Sequence, residues 1–314
     1  MSSWRSIRLL ESAVAEMAGT KEIKTRIQSV QETKKITSAM YLIASTKLRR
    51  ARQELEHTRP YFEALRGEIK SIFRTASDVD SRYFYPVGDD TPREGTYGCL
   101  VITADKGLAG SYNQNAIRQA QELLEWHPDT KLFVVGEYGR RFFAQRNIPI
   151  ERSFLYTAQN PTMARAREIS ALLLEQFDRG DLQKIFVVYT DMESGVSFQA
   201  RSTRLLPFHR NYFAAPRTGE LVEWVEMVPS PTAVLENMIQ SYVSGFIYSA
   251  LIDSFCCEQN ARMMAMDSAN QNAEQLLDGL SLQFNRVRQS AITQEITEVS
   301  AGAKAQRQKR GKEM

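Results

Sequence analysis

Chemistry in this 314-residue chain would have to come from a small stock of residues. There are three cysteines, Cys99, Cys256 and Cys257, and no C-x-x-C pair. An odd count without ligand spacing argues for a reducing compartment and against a bound metal. Three histidines leave little material for a Ser/His/Asp triad or a zinc site. The strongest chemical candidate is ITADKGLAGSYNQN, Ile102 to Asn115. An apolar strand, CLVIT, runs into a glycine turn, and a polar helix follows. That order aims backbone N–H groups at a phosphate in many folds.

The spelling counts against a nucleotide. A phosphate loop ends in Gly-Lys-Ser/Thr, whereas Gly110 is followed by Ser111 and Tyr112. A dinucleotide loop needs G-x-G-x-x-G, and only Gly107 and Gly110 are present, as G-x-x-G. Glu137, after the next strand, is placed to imitate a ribose-binding acid. The reading that fits the residues is a tight strand-to-helix turn, with Gly107 and Gly110 as its structural glycines. No catalytic, cofactor-binding or metal-binding residues are expected, and no cofactor.

The elements that carry this turn fall into three parts. From about Tyr97 to Phe213, the strand-like runs CLVIT, KLFVVG, SFLYT and KIFVVYT alternate with helical segments. Short continuous apolar strands between helices predict a parallel sheet covered on both faces. SFQARSTRLLP is expected to add an antiparallel edge strand.

The two ends are different. From Ile23 an apolar seam recurs at spacings of four and three: Ile23, Ile27, Val30, Lys34, Thr37, Tyr41, Ala44, Leu48, Ala51, Leu55, Thr58, Phe62, Leu65, Ile69, Ile72. Twelve of the fifteen are apolar, counting Tyr, which is the mark of a coiled coil. Pro60 should kink or locally break this helix. A second seam reads Met266, Ala269, Ala273, Leu276, Leu280, Gln283, Val287. The two helices would be roughly 80 Å and 100 Å long. Helices at opposite ends of one chain pair by folding back, so the expected fold is α/β with long helices. An antiparallel coiled coil of N- and C-terminal helices joins a central Rossmann-like α/β domain. The expected division is an N-terminal extension over 1–20, the first coiled-coil helix over 21–80 and the central domain over 95–215. The second helix follows over 230–303, with a basic tail over 304–314.

Charge and hydropathy exclude other classes. Forty Lys+Arg against 37 Asp+Glu give a net charge of +3, which does not suggest a nucleic-acid binder. No run approaches a membrane span. The first residues carry Glu11 and Glu16 where a signal peptide is apolar. Lys47, Arg49, Arg50 and Arg52 crowd one stretch of the first helix, either as a solvated face or as a surface for an acidic partner.

Three blocks carry a family resemblance: KEIKTRIQSVQETKKITSAMYLIASTKLRRAR, ITADKGLAGSYNQN, and CEQNARMMAMDSANQNAEQLLDGLSLQFNRVRQSAITQEITEVSAGA. They resemble the gamma subunit of bacterial rotary ATP synthases over about Lys21 to Ala303. The resemblance implies a central rotor shaft, not itself a catalyst. Its partners would be the alpha and beta subunits of the hexamer, the epsilon subunit and the membrane ring of c subunits. It implies no nucleic acid and no small-molecule substrate, and a peripheral position on the cytoplasmic face of the bacterial membrane. Carried over by position, Lys47, Arg49, Arg50 and Arg52 would pass the acidic levers of the beta subunits, with Met40 close by. Arg262, Gln289 and Thr293 would meet beta-subunit loops higher in the hexamer, with Arg262 and Gln289 facing outward from the seam. Tyr212 would lie near the ring-facing foot. The extension MSSWRSIRLLESAVAEM and the tail KAQRQKRGKEM depart from the family pattern. The alternatives are a coiled-coil scaffold with a non-catalytic Rossmann-like domain, which leaves the third block unexplained, and a nucleotide-dependent oxidoreductase, which lacks its glycine.

Overall fold

A computed structural model describes residues 3–75, 81–85, 94–192, 198–209, 213 and 227–310. Tyr212 lies outside the described residues, as does the end of the basic tail from residue 311. The elements run α1 (Ser3–Thr75), β1 (Tyr97–Ile102), α2 (Tyr112–Trp126), β2 (Thr130–Val135) and α3 (Glu137–Gln145). They continue with α4 (Met163–Asp178), β3 (Lys184–Met192), β4 (Phe198–Leu206) and α5 (Pro231–Arg310). The chain divides into two compact units, one of Met1–Tyr41 with Met266–Met314, the other of Leu42–Ala265. By their bounds, α1 and α5 each contribute to both.

The first unit is an antiparallel helix pair. Lys34 Nζ donates to Glu274 Oε1 at 2.7 Å, and Ser38 Oγ donates to Asn270 Oδ1 at 3.3 Å. Thr37 also donates to Asn270. Partner numbers fall along α5 as they rise along α1, which fixes the antiparallel direction. Within this unit the polar members of the α1 seam, Lys34 and Thr37, thus meet polar residues opposite, so the seam is closed there although it is not apolar. In α5 the seam differs from the expected one. Leu276 is 58% exposed and Gln283 is exposed, whereas Leu277 and Phe284 are half-buried. Met266, Asn270, Ala273, Leu277, Leu280, Phe284 and Val287 alternate four and three without a slip. At Leu276–Leu277 both residues are apolar, so composition alone does not choose between them.

The second unit holds a four-stranded sheet in the order β2-β1-β3-β4. β1 pairs parallel with β2 and β3, and β4 closes one edge antiparallel to β3, as the SFQARSTRLLP segment suggested. All six residues of β1 are buried. Alternation splits them: Leu100 and Ile102 join a core with α4, α1 and α5, while Cys99 and Val101 face α2 and α3. Burial on both faces is why these strands are apolar throughout.

One expectation fails here. SFLYT is not a strand. Within it Phe154 is fully buried but Leu155 is 73% exposed, and the Tyr156 carbonyl accepts from Gly136 N–H at 3.0 Å and from Arg140 Nη1 at 2.8 Å. The only strand-like pairing nearby among the described residues is the bridge Leu132–Ile150. The segment spends its backbone on α3 instead of on a ladder. Pro60 lies inside α1, which continues to Thr75 without a break in its helical assignment.

Candidate interaction surface

The glycine turn is built from within. Thr103 Oγ1 donates to the Val135 carbonyl at 2.9 Å and accepts from Gly139 N–H at 3.1 Å. Asn113 Oδ1 accepts from Ala104 N–H at 2.9 Å, and its amide reaches back to the Lys106 carbonyl at 3.3 Å. Gly110 has φ +54°, a left-handed conformation that glycine adopts without Cβ strain. Gly107 does not need a positive φ; the second left-handed residue is Leu108, at +60°. Gly136, opening α3, has φ +94°, and a Cβ there would lie 2.2 Å from the Thr103 carbonyl. Its role was not apparent from the spelling of the motif.

The start of α2 is filled by protein. Tyr112 is 1% exposed and clusters with Ala104, Ala109, Cys257 and Ala261. Glu137 is bound to arginines, accepting from Arg140 at 2.9 Å and Arg141 at 2.9 Å. Hydrogen bonds from Arg141, then Arg140, hold its carboxyl below the usual range. Neither a ribose-binding acid nor an open helix N-terminus stands here.

Arg262 is placed against expectation. It is not an outward residue: it is 9% exposed, donates to Glu258 Oε1 at 2.7 Å and to the Gly107 carbonyl at 3.1 Å. From residue 254 to 262, α5 is buried on all sides, and an arginine there can only turn inward to a partner. Glu258 is fully buried. Burial pushes its carboxyl up, while the Arg262 charge pulls it down.

The other expected contact residues lie on helix surfaces. Arg49 and Arg50 are exposed; Arg52 is half-buried, its Nη2 3.6 Å from Met192 Sδ. Lys47 is half-buried and donates to Gln159 Oε1 at 3.0 Å. Met40, in the first unit, is half-buried. Gln289 and Thr293 are exposed and adjacent on α5, with Thr293 Oγ1 donating to the Gln289 carbonyl at 2.9 Å. They line a groove with Arg286, Thr297 and Glu298.

All three cysteines are buried, and burial pushes the Cys256 thiol up to about 12. Among the described residues no group of His, Cys, Asp or Glu could hold a metal ion, and no helix is long and apolar enough to cross a membrane.

A family model described as ATP synthase matches residues 19–306. The ATP synthase gamma chain of Caldanaerobacter subterraneus subsp. tengcongensis is 40% identical over 294 residues, covering 91% of this chain and 99% of the relative. The chain belongs to the ATP synthase gamma chain family. The gamma chain of Acetivibrio thermocellus is 37% identical over 295 residues, 92% of this chain and 99% of that one. In structure, a chain of the Euglena gracilis mitochondrial ATP synthase superposes with a TM-score of 0.64 at 15% identity. It covers 93% of this chain and 96% of its own, and supports the fold.

One surface feature was not anticipated from the sequence. Ile292, Ile296 and Val299 are 48%, 62% and 69% exposed and recur at helical spacing beside Gln289 and Thr293. Their i, i+4, i+7 spacing puts the three on one face of α5. The feature's signal in the sequence is the four-then-three spacing of Ile292, Ile296 and Val299, one position off the seam that runs through Val287 and Ala291.

Proposed function

We propose that the chain is the central rotor of an ATP synthase. It carries no catalytic site of its own, and it transmits rotation between a c-subunit ring and a hexamer of alpha and beta subunits. The epsilon subunit is a further partner. The place of work is the cytoplasmic face of the bacterial membrane, held there by partners. The carrying observation is the membership in the gamma chain family over nearly the whole chain, together with α1 and α5 packing antiparallel. A rotor needs stiffness, which a closed seam supplies. It also needs a surface whose contacts differ between angles, because only differential contacts shift the states of a partner.

In this reading Arg49, Arg50, Arg52 and Lys47 meet acidic hexamer surface, Met40 lies near that zone, and Gln289 and Thr293 meet beta-subunit loops. Tyr212 belongs to the ring-facing foot. Their exposure or half-burial, Tyr212 aside, supports this. Arg262 has an inward role instead. The working division remains an extension over 1–20, coiled-coil helices over 21–80 and 230–303, a central domain over 95–215 and a tail from 304. The deciding experiment assembles the chain with alpha and beta subunits. Hydrolysis that drives rotation of a bead fixed to this chain is expected, with no hydrolysis or nucleotide binding by the chain alone. Rotation absent in an active assembled complex, or hydrolysis by the isolated chain, refutes the reading.

A further inference from the structure

Among the basic residues of α1, Lys47 differs from its neighbours. Arg49 and Arg50 are exposed, whereas Lys47 is half-buried and its ammonium is held at 3.0 Å by the neutral amide oxygen of Gln159. Gln159 belongs to a loop that is fixed from two sides. The Asp105 carboxylate accepts from the N–H groups of Ala158 at 3.3 Å and Gln159 at 3.2 Å, from the Thr157 hydroxyl, and from Glu137 N–H at 3.1 Å. Arg165 Nη1 donates to the carbonyls of Thr157, Gln159 and Asn160 at 3.2, 2.7 and 3.2 Å. Backbone groups and the Thr157 hydroxyl satisfy both charges and tie the loop down at this point, and the Gln159 side chain is left to serve Lys47.

The choice of partner is informative. A lysine left free loses much rotamer entropy on docking. A lysine paired with a carboxylate is oriented but competes with any acidic partner. A neutral amide orients the ammonium and binds it more weakly than a carboxylate does. We propose that Gln159 is a positioning residue: it holds the Lys47 ammonium in place, ready to be taken by a carboxylate of the hexamer as the rotor turns. This rests on the reading that Lys47 contacts acidic hexamer surface. It adds the requirement that the hydrogen-bonded resting partner be neutral, with the Glu258 carboxylate acting on Lys47 only through space.

The test uses the assembled complex in membrane vesicles, with ATP hydrolysis and ATP-driven ion pumping read together. The variants are Gln159→Glu, Gln159→Leu and Lys47→Gln, alone and combined. Side-chain changes at Gln159 spare its backbone N–H bond to Asp105, so assembly is expected. Gln159→Glu should lower turnover on the order of fivefold, because the ammonium then leaves an ion pair instead of an amide. Gln159→Leu should lower it less, by removing orientation alone. In the Lys47→Gln background neither Gln159 variant should change anything further. Equal losses with and without Lys47 would mean that Gln159 acts through loop packing, and would overturn the proposal. Turnover lowered by Lys47→Gln yet indifferent to Gln159 overturns the proposal and leaves the contact reading intact. Turnover unchanged by Lys47→Gln removes the contact reading, and the positioning role with it.

Discussion

Gly245 and Gly279 both lie inside α5, and replacing each by alanine should have different effects. In a helix interior, Gly→Ala gains about 1 kcal/mol, because alanine loses less backbone entropy and shields the helix backbone. Gly279 is exposed, and a Cβ there meets nothing within 4 Å. Gly279→Ala should therefore stabilise by the full propensity term. At Gly245, a Cβ would lie 1.7 Å from Phe62 Cε1, 2.1 Å from Cδ1 and 2.7 Å from Cζ. One whole edge of the ring is in the way, not one flexible atom. Phe62 also packs against the main core, in T-shaped contact with Tyr61 at 5.3 Å. Moving it costs about 1–3 kcal/mol by the usual scale for overpacking. The steric term outweighs the propensity gain, so Gly245→Ala should be neutral to destabilising by about 2 kcal/mol.

The difference between the two variants is the sharper quantity, about 1–3 kcal/mol, since the propensity term cancels. Urea unfolding followed by circular dichroism would measure it, provided the slope stays constant across variants. Thermal midpoints should separate by several degrees, at about 2–4 °C per kcal/mol for a large domain. Phe62→Leu in the Gly245→Ala background should recover part of the loss by clearing the ring. Equal stabilisation by both glycine replacements would refute the packing argument. So would a Gly245→Ala loss that Phe62→Leu leaves untouched.

Other outcomes follow from the same geometry. Ala44 is 1% exposed, so Ala44→Glu should cost about 3 kcal/mol or more as an unpaired buried charge, while Lys21→Glu at an exposed position should leave the melting curve near wild type. Glu258 has a raised folded-state pKa, so between its ordinary value and that raised value the folded chain holds more protons than the unfolded one. Stability should fall as pH rises through that window, and Glu258→Gln should remove that component of the slope in a pH series of urea midpoints. Glu151 is the opposite case: bonds from Lys131 and Ser153 lower it to about 2. Its contribution should be present above about 4.3 and be lost as pH falls toward 2, and Lys131→Met should flatten that loss. Arg49→Gln with Arg50→Gln should leave the melting curve unchanged and lower turnover of the assembled complex, an effect absent if these residues are merely solvated.

The coiled coil was legible because its period is redundant. All fifteen seam positions of α1 from Ile23 to Ile72 are buried or half-buried, including Lys34, Thr37 and Thr58. One wrong residue does not move a pattern repeated over fifteen steps. The α5 seam was harder, because Leu276–Leu277 offers two apolar residues in succession and Gln283–Phe284 puts a polar residue beside an aromatic one. The choice is made across the pair, by which residue faces α1, and that information is not local. SFLYT failed for a related reason. Its residues suit a strand, but the Tyr156 carbonyl is committed to Gly136 and Arg140, both distant in sequence. Arg262 was misplaced because a lone arginine on a helix is usually exposed. Only the burial of α5 on every side, set by elements distant in sequence, turns it inward.

The same tertiary information decides the glycine turn. A phosphate site offers N–H groups at a helix N-terminus to an anion. This turn does the reverse. It offers a carbonyl, that of Gly107, to a cation, the Arg262 guanidinium, and it fills the helix entrance with Tyr112. Gly110 and Leu108 in left-handed conformations bend the chain so that this carbonyl is presented. The glycines that suggest a nucleotide loop thus serve a docking contact of opposite polarity. Replacing Arg262 by Ala would leave Glu258 fully buried without its cation, and the Gly107 carbonyl without its donor. The cost should be about 3–5 kcal/mol, the scale for breaking a buried pair by removing one partner. Arg262→Ala combined with Glu258→Ala should recover a large part of that loss, because the stranded carboxylate goes with it. A single variant as stable as wild type, or a double variant no better than the single, would mean that the pair does not hold the turn to α5.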